Sequence, residues 1–196
     1  MQERLQKEVD ENQGLHDSAH PLPYLEAVIN ETLRLKPVVP SGQSRITPPE
    51  GLFVDETWIP GNTIVVVPQY LLQRDARNFA RPLEFLPERW LEEGKGLVLD
   101  DRAFFPFTIG ETLSSEFLYK SLYLSVLQGP YACAGKQLAY LQLRMALRQI
   151  AREFSISLAP GEDGKSFNED AQDTFTLKVP PLHLAFNKRR GPGAGQ

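Results

Sequence analysis

Prolines and glycines interrupt the chain repeatedly between Pro37 and Gly110, which argues against long helices in that region. In its first half, short β-branched and aromatic runs lie between turn residues and predict brief strands of a small sheet. These runs are GLFVD, TWIP and NTIVVVP. Residues 69–79 predict one or two helical turns. Residues 81–110 are proline-rich and weakly periodic, and so long an irregular path is usually functional or held by specific contacts.

Amphipathic helices are predicted on both sides of this irregular region. The first has Leu5 and Val9 four residues apart among charges, and Gly14 is placed to end it. The second, residues 23–36, has apolar residues at helical spacing until Pro37, which cannot continue a helix. A long third helix is predicted in the segment AGKQLAYLQLRMALRQIAREF. Its apolar residues are Leu138, Leu141, Met145, Leu147 and Ile150.

The C-terminal part of the chain predicts strands in the runs FSISLAP and FTLKVPPLHLAFN. Between them, the polar segment GEDGKSFNEDAQD, residues 161–173, is predicted to be a loop. Residues 191–196 are predicted to be a disordered tail. Together these patterns predict an α+β fold that is mainly helical and contains small β-sheets.

Charge and apolar pattern argue against several classes of protein. The formal net charge is -4 and the isoelectric point is about 5.5, without a basic stripe, which argues against a nucleic-acid partner. The one cysteine cannot form an internal disulfide, so nothing indicates an oxidising compartment. No apolar run approaches the roughly 20 residues that cross a bilayer. As written, the chain is expected to be neither secreted nor membrane-spanning.

Glu31 and Arg34 lie three positions apart on the second predicted helix, so their side chains share a face and can pair. Most such pairs are surface ion pairs that contribute little stability. The irregular segment, however, contains FLPERW, in which Arg89 could bring a second guanidinium to the Glu31 carboxylate. We therefore predict a buried cluster of Glu31, Arg34 and Arg89 that holds the irregular segment on the helix.

Cys133, the single cysteine, stands in GPYACAGKQLA at the start of the long predicted helix. A lone cysteine is most often a small buried apolar residue, and the residue type alone leaves that interpretation open. Free N–H groups and the helix dipole favour a thiolate at this position. Gly135 leaves room for a flat ligand, and Gly129 with Pro130 gives an irregular entry. The combination indicates an axial metal ligand, and haem iron accepts a cysteine thiolate.

Other candidate sites are weaker. His16 and His20 have a spacing that can bind zinc on a helix, but HDSAHP is typical of a loop and has no further ligand nearby. The glycine-rich runs match no phosphate-binding loop, and no order of Ser, His and Asp indicates a hydrolase.

Taken together, these motifs resemble the C-terminal part of the cytochrome P450 family, most closely its fungal members. ETLRLKP resembles the family's Glu-x-x-Arg helix, FLPERW its Pro-Glu-Arg signature, and GPYACAGKQLA the second half of its haem-ligand loop. IPGNTIVVVPQY and RDARNF lie between them in the family's usual order. The resemblance covers nearly the whole chain and implies a C-terminal part of a cytochrome P450 domain over residues 1–190.

The resemblance also implies roles for individual residues. Cys133 would be the proximal thiolate of haem b, and Glu31, Arg34 and Arg89 a structural triad. Arg45 would reach a haem propionate. The haem loop would further include Phe107, Gly129, Tyr131 and Gly135. Residues 38–43 and the turn at residues 173–175 would face the substrate.

Three features depart from the family pattern. Tyr131 stands where the family usually has a basic residue, so propionate binding there could use only its phenol or backbone. The loop should have a phenylalanine seven residues and a glycine four residues before the cysteine. PFTIG supplies Phe107 and Gly110, but residues 111–128 separate them from Cys133. The family's N-terminal part, with its membrane anchor and oxygen-handling helix, is not in the sequence.

Removing residues 111–128 and merging Gly110 with Gly129 gives FTIGPYACAGKQLA, which restores both spacings. A glycine codon followed by a glutamate codon can contain a splice-donor sequence. Leucine and glutamine codons can end in the bases of a splice acceptor. Residues 111–128 are therefore interpreted as a retained intron, with a genuine insertion as the alternative.

The function implied by the resemblance is that of a haem-thiolate monooxygenase, which activates O2 and oxidises a small apolar organic substrate. Its electrons would come from an NADPH-dependent reductase, and an N-terminal anchor would hold the parent protein at the endoplasmic reticulum membrane. This chain is expected to be soluble, on the cytoplasmic side. The alternative is a non-catalytic truncated fragment or gene model without the oxygen-activating half.

Overall fold

The computed structural model describes residues 1–12, 21–108 and 133–189. Over these residues the fold is α+β, with helices and small antiparallel sheets, as the sequence predicts. The α-helices are α1 Gln2–Glu11, α2 Pro23–Leu35, α3 Gln69–Leu72, α4 Lys136–Glu153 and α5 Lys165–Glu169. The strands are β1 Arg45–Ile46, β2 Leu52–Val54, β3 Thr57–Ile59, β4 Ile64–Val65, β5 Phe154–Leu158, β6 Gln172–Thr174, β7 Thr176–Lys178 and β8 Leu184–Lys188.

Several residues that the sequence singles out lie outside the described ranges. They are Gly14, His16, His20, Gly110, the segment 111–128, Gly129, Pro130, Tyr131 and the tail 191–196.

The N-terminus of helix α2 is capped by a residue of another helix, which the sequence pattern does not predict. Its N-cap is Leu22, whose side chain cannot accept a hydrogen bond. The Glu8 carboxylate of α1 accepts the backbone N–H groups of Tyr24 at 2.8 Å and Leu25 at 2.9 Å instead. A carboxylate at a helix N-terminus satisfies free donors and interacts favourably with the helix dipole. Helix α1 thus caps α2 in addition to packing on it.

The core lies where α1, α2 and α4 meet. Its buried members are Val9, Leu22, Leu25, Ile29, Leu33 and Ala151. Leu143 and Leu147 of α4 pack against this cluster. Polar contacts support the packing, because the Tyr140 hydroxyl donates to Asn30 Oδ1 at 3.0 Å. Arg144 of α4 also donates two hydrogen bonds to the carboxylate of Glu26 on α2.

The predicted apolar residues of α4 do not all face this core. Leu138 and Met145 are 58% and 48% exposed, whereas Leu147 packs on the core cluster. The apolar residues of α4 therefore occupy more than one face, and the core uses the face that also carries Tyr140 and Ala151.

Each strand pairs with one other described strand, in the antiparallel pairs β1–β4, β2–β3, β5–β8 and β6–β7. The prediction of a polar loop over residues 161–173 is wrong, because α5 and the start of β6 lie within it. Asp163 Oδ1 accepts the N–H of Lys165 at 2.9 Å at the start of α5. Strand β6 exists because it pairs with β7, and that pairing is not visible in the composition of the segment.

Candidate functional site

The Glu31 carboxylate of α2 is the centre of a buried cluster. Arg34 Nε donates to Oε2 and Nη2 to Oε1, both at 2.9 Å. Arg89 Nε lies 3.0 Å from each carboxylate oxygen. The backbone N–H of Leu86 donates to Oε1 at 2.9 Å, and the indole N–H of Trp90 donates to Oε2 at 3.0 Å. The structure thus brings Glu31, Arg34 and Arg89 together, although Arg89 lies 58 positions along the chain from Glu31.

Both arginines also bind backbone carbonyls of the chain between Gln73 and Leu97. The acceptors of Arg34 are the carbonyls of Gln73, Pro82 and Glu84, at 2.6, 2.7 and 3.1 Å. The acceptors of Arg89 are the carbonyls of Ala80, Leu97 and Arg81, at 2.9, 3.1 and 3.1 Å. A segment with little regular secondary structure must satisfy its carbonyl groups by other means. The two guanidinium groups do so between Gln73 and Leu97, which explains how a proline-rich path is held.

The cluster is fully desolvated, since the side chains of Glu31, Arg34 and Arg89 are 0% exposed. Burial disfavours the charged carboxylate, but hydrogen bonds from Arg34, Leu86 and Arg89 outweigh it and hold the pKa of Glu31 below its usual value. Burial lowers the pKa of Arg89, and the contact with Glu31 opposes that effect. Arginine stays protonated under these conditions, so the cluster is ionic.

Two aromatic residues complete the cluster, and neither is predicted from the sequence. Trp90 donates to Glu31, as described above, and its ring lies 6.4 Å from the ring of Phe79. Phe79 is 0% exposed and lies 5.2 Å from the Arg34 guanidinium carbon and 5.9 Å from that of Arg89. The position of Trp90 directly after Arg89 in FLPERW was the available signal.

Cys133 lies before α4, which has Gly135 as its N-cap and begins at Lys136. The N–H of Lys136 donates to the Cys133 carbonyl at 3.1 Å. The N–H of Cys133 donates to the Phe107 carbonyl at 3.1 Å, and the Phe107 ring packs 5.2 Å from the ring of Tyr140 on α4. Phe107 and Cys133 are therefore adjacent in space, although the chain between them is long.

The surroundings of Cys133 fit a ligand that approaches the sulfur from outside. The cysteine is exposed, so it is not the buried apolar residue that its type alone would favour. A Cβ added at Gly135 would lie 3.6 Å from the Cys133 sulfur. Apart from Gly135 and its two chain neighbours, no other described residue has an atom within 4 Å of that Cβ. Within the described ranges, no three His, Cys, Asp or Glu side chains form a metal site. The exposed sulfur with an open approach fits a group that takes one thiolate from the protein.

Arg45 begins β1 and is exposed. Its Nη1 donates to Gln43 Oε1 at 3.1 Å and to the Ser44 carbonyl at 3.2 Å. Both acceptors are neutral groups. The guanidinium charge is thus not neutralised through these bonds and suits an anionic partner such as a propionate.

The two segments implied to face a substrate are in contact. The backbone N–H of Leu177 on β7 donates to the Val38 carbonyl at 2.8 Å. The Ser41 hydroxyl donates to Asp173 Oδ2 on β6. Residues 38–43 and the β6–β7 hairpin therefore form one surface.

Comparisons with known proteins support the resemblance drawn from the motifs. A family model described as Cytochrome P450 matches residues 1–113. Cytochrome P450 monooxygenase eupD of Phoma sp is 40% identical over 174 residues, which make up 89% of this chain and 53% of that protein. Cytochrome P450 monooxygenase orf5 of Eupenicillium brefeldianum is 41% identical over 188 residues, or 95% and 34% of the two chains. Tryprostatin B 6-hydroxylase of Aspergillus fumigatus is 34% identical over 174 residues, which make up 89% of this chain and 28% of that protein.

The chain spans about half the length of the first of these relatives and about a third of the second. None of the helices in the described part of the chain is long and apolar enough to cross a membrane. The family model matches more than half of the chain, and that matched part contains the whole Glu31 cluster. The chain belongs to the cytochrome P450 family.

Proposed function

We propose that the parent protein of this chain is a haem-thiolate monooxygenase and that Cys133 is the axial ligand of its iron. The cofactor of the family is haem b, which the thiolate ligand equips to activate O2 and cleave the O–O bond. The observation that carries the proposal is the exposed sulfur of Cys133 at the start of α4, beside a glycine that leaves the approach open.

Several residues of this chain have a part in the proposed site. The Phe107 carbonyl holds the N–H of Cys133 and so fixes the backbone that presents the sulfur. Cys133 directly precedes the first turn of α4, so the free backbone N–H groups of that helix end lie next to it in the chain. Arg45 would bind a propionate, and Gly129, Tyr131 and Gly135 would border the cofactor. The Glu31 cluster holds the irregular segment that leads to Phe107.

The substrate and the redox partner follow from the family. Cytochromes P450 generally use a redox partner and organic substrates. For the parent protein we propose a small apolar substrate, electrons from an NADPH-dependent reductase and attachment to the endoplasmic reticulum membrane by an N-terminal anchor.

The proposal is tested by loading the protein with haem, reducing it and adding carbon monoxide. We expect the Soret band typical of a thiolate ligand, and we expect Cys133→Ser to lose it while keeping the fold. Arg45→Gln is the matched control, because it alters a contact to the cofactor and not the iron ligand. A thiolate-type band in the serine variant would disprove the role of Cys133.

The same assay examines the alternative that this chain is a non-catalytic fragment. That alternative is favoured by the 53% and 34% of the two relatives that the chain spans. If the 196-residue chain binds no haem but an N-terminally extended form does, the chain is a fragment and the parent is the enzyme. If neither form binds haem, the proposed function fails.

We further propose that residues 1–190 are the C-terminal part of one P450 domain and that residues 111–128 are a retained intron. The contact between Phe107 and Cys133 supports this, because the chain on either side of the segment already meets. The family model also stops at residue 113, close to the proposed junction. Sequencing the transcript across the junction tests the proposal. Mature transcripts that all retain the segment would show a genuine insertion instead.

A further inference from the structure

Two buried glutamines lie one helical turn apart on α3. Gln69 begins the helix and is 1% exposed, and Gln73 is its C-cap and is 0% exposed. Their side chains differ in what they bind. Nε2 of Gln69 donates to the Phe105 carbonyl at 3.1 Å. Neither polar side-chain atom of Gln73 has a partner among the described residues. Gln69 therefore makes a specific long-range contact that its equally buried neighbour does not make.

The Phe105 carbonyl begins a tight turn. It also accepts the N–H of Thr108 at 3.0 Å, which is the closing hydrogen bond of a β-turn. Pro106 occupies the second position of this turn, where its fixed φ angle is favoured. Thr108 has a φ angle of 61°, which is rare for a β-branched residue. A turn that ends in such a conformation depends on surrounding contacts to hold it.

This turn leads directly to the cysteine. Its third residue is Phe107, whose carbonyl accepts the N–H of Cys133 at 3.1 Å. The carbonyl that Gln69 holds and the carbonyl that Cys133 binds thus lie two residues apart in one turn. Because the turn is short, a displacement of the first carbonyl also displaces the second. Gln69 is therefore linked to the backbone of Cys133 through residues 105–108.

Helix α3 gives Gln69 a fixed support. A helix of four residues is not stable by itself, so contacts from other parts of the chain must hold it. The side-chain amide of Asn78 donates to the Leu72 carbonyl at 2.9 Å. Arg34 donates to the Gln73 carbonyl at 2.6 Å. Both carbonyls at the end of the helix are thus bound, and Gln69 is presented from an anchored backbone.

Gln69 also carries a cost that an apolar residue would avoid. Its Oε1 is buried and has no partner among the described residues. A buried polar atom without a hydrogen bond destabilises the folded state. Methionine has a similar shape and would avoid this cost. The contribution that only glutamine makes here is the amide group that donates to the Phe105 carbonyl.

We infer that Gln69 is a positioning residue that fixes the turn at residues 105–108 and, through it, the backbone that presents the Cys133 sulfur. This inference rests on the proposed function, because the position of the sulfur matters for its role as the iron ligand. Groups that hold a metal ligand from behind orient it, and their loss weakens the bond to the metal although the ligand remains.

The first experiment needs no haem and uses amide hydrogen exchange in the 196-residue chain. Gln69→Met keeps the shape of the side chain and removes the donor. Exchange at Cys133 should become roughly three- to tenfold faster, the scale of one lost hydrogen bond. Exchange at the buried Thr47, whose N–H donates to the Thr63 carbonyl at 2.9 Å, should not change. An equal acceleration at Thr47 would show general unfolding and would contradict the inference.

Gln73→Met is the matched control. It replaces a glutamine of the same helix and the same depth whose side chain has no hydrogen bond among the described residues. Exchange at Cys133 should therefore stay at the rate of the original protein. If Gln69→Met and Gln73→Met give the same rate at Cys133, the inference is wrong.

Two further variants keep the inference testable if Gln69→Met does not fold. Gln69→Asn retains the amide but is one CH2 group too short to reach the Phe105 carbonyl, so it should accelerate exchange at Cys133 as well. Pro106→Ala loosens the turn from within and leaves Gln69 in place, and we expect the same direction of change. An unchanged rate in either variant would overturn the inference.

The second experiment follows the Soret band of the haem-loaded, reduced protein with carbon monoxide. Gln69→Met should lower the share of bound haem that gives the thiolate-type band, whereas Gln73→Met should not. A purely structural loss would reduce the total haem bound and leave that share unchanged. The share therefore reports the position of the sulfur.

The outcomes separate the inference from the proposed function. If the original protein gives no thiolate-type band, the proposed function fails, and the role of Gln69 toward the iron ligand fails with it. If the band forms and its share is the same in Gln69→Met and the original protein, the proposed function stands and the inference about Gln69 is wrong.

Discussion

Glu31→Gln is the substitution that tests the buried cluster most directly. Glutamine has nearly the same shape as glutamate but no charge, so the variant leaves Arg34 and Arg89 buried without a counter-ion. It also replaces one acceptor oxygen by an N–H2 donor. In one orientation that donor faces three donors at 2.9 to 3.0 Å, namely Arg34 Nε, Arg89 Nε and the Trp90 indole. In the other orientation it faces Arg34 Nη2, Arg89 Nε and the Leu86 N–H.

The expected cost follows from this geometry. Removing one partner of a fully buried ion pair costs roughly 3 to 5 kcal/mol, because a charge remains buried without compensation. For a domain whose free energy of unfolding is about 5 to 15 kcal/mol, this is a large fraction of the total. With a urea m-value of about 2 kcal/mol/M, the unfolding midpoint should fall by roughly 2 M.

Urea unfolding followed by tryptophan fluorescence measures this effect. The chain has 2 tryptophans, and Trp58→Phe leaves Trp90, which touches Glu31, as the reporter. Glu84→Gln in the same background is the matched control. Glu84 pairs with Arg81 on the surface, where both side chains are more than half exposed. The urea midpoint of the Glu84→Gln variant should therefore stay close to that of the Trp58→Phe protein. Equal midpoints for the Glu31 and Glu84 variants would refute the reasoning.

The pH dependence of the free energy of unfolding independently checks that the charged form of Glu31 is the stabilising one. Folding lowers the pKa of Glu31 from its usual 4.5, so the folded state binds this proton less tightly than the unfolded state. The stabilisation is therefore present above pH 4.5 and is lost as the pH falls through the lower pKa of the folded state. Glu31→Gln should remove this part of the acid sensitivity.

Three smaller effects are expected. Glu8→Ala should lower the free energy of unfolding by about 1 kcal/mol, since it removes the cap of α2, and thermal unfolding against Glu11→Ala measures the loss. Trp90→Phe removes one hydrogen bond to the charged Glu31 and should cost about 1.5 to 3 kcal/mol in urea unfolding, less than Glu31→Gln. Gly42→Ala should lower the thermal midpoint, because a methyl group collides with the Val67 carbonyl at a positive φ angle. An unchanged unfolding midpoint in any of these variants would show that the corresponding contact does not stabilise the fold as expected.

Features that depend on local spacing can be predicted from the amino-acid sequence of this protein. Helices α1, α2 and α4 follow from apolar residues at helical intervals, and Pro37 sets the end of α2. The spacing of Glu31 and Arg34 places both side chains on one face of α2, because residues three apart are neighbours on a helix. The position of Cys133 before α4 is equally local. In each case the determining interactions lie within one or two helical turns.

Contacts between distant groups, in contrast, depend on how the whole chain packs. Arg89 and Trp90 reach Glu31 from 58 and 59 positions away, and the arginine forks also satisfy carbonyl groups of the segment between Gln73 and Leu97. Glu8 caps α2 from another helix, and Asp173 joins the hairpin to Ser41 across 132 positions. Buried polar groups must find partners wherever packing places them. Local sequence patterns carry no record of those partners, so the folded chain alone assigns them.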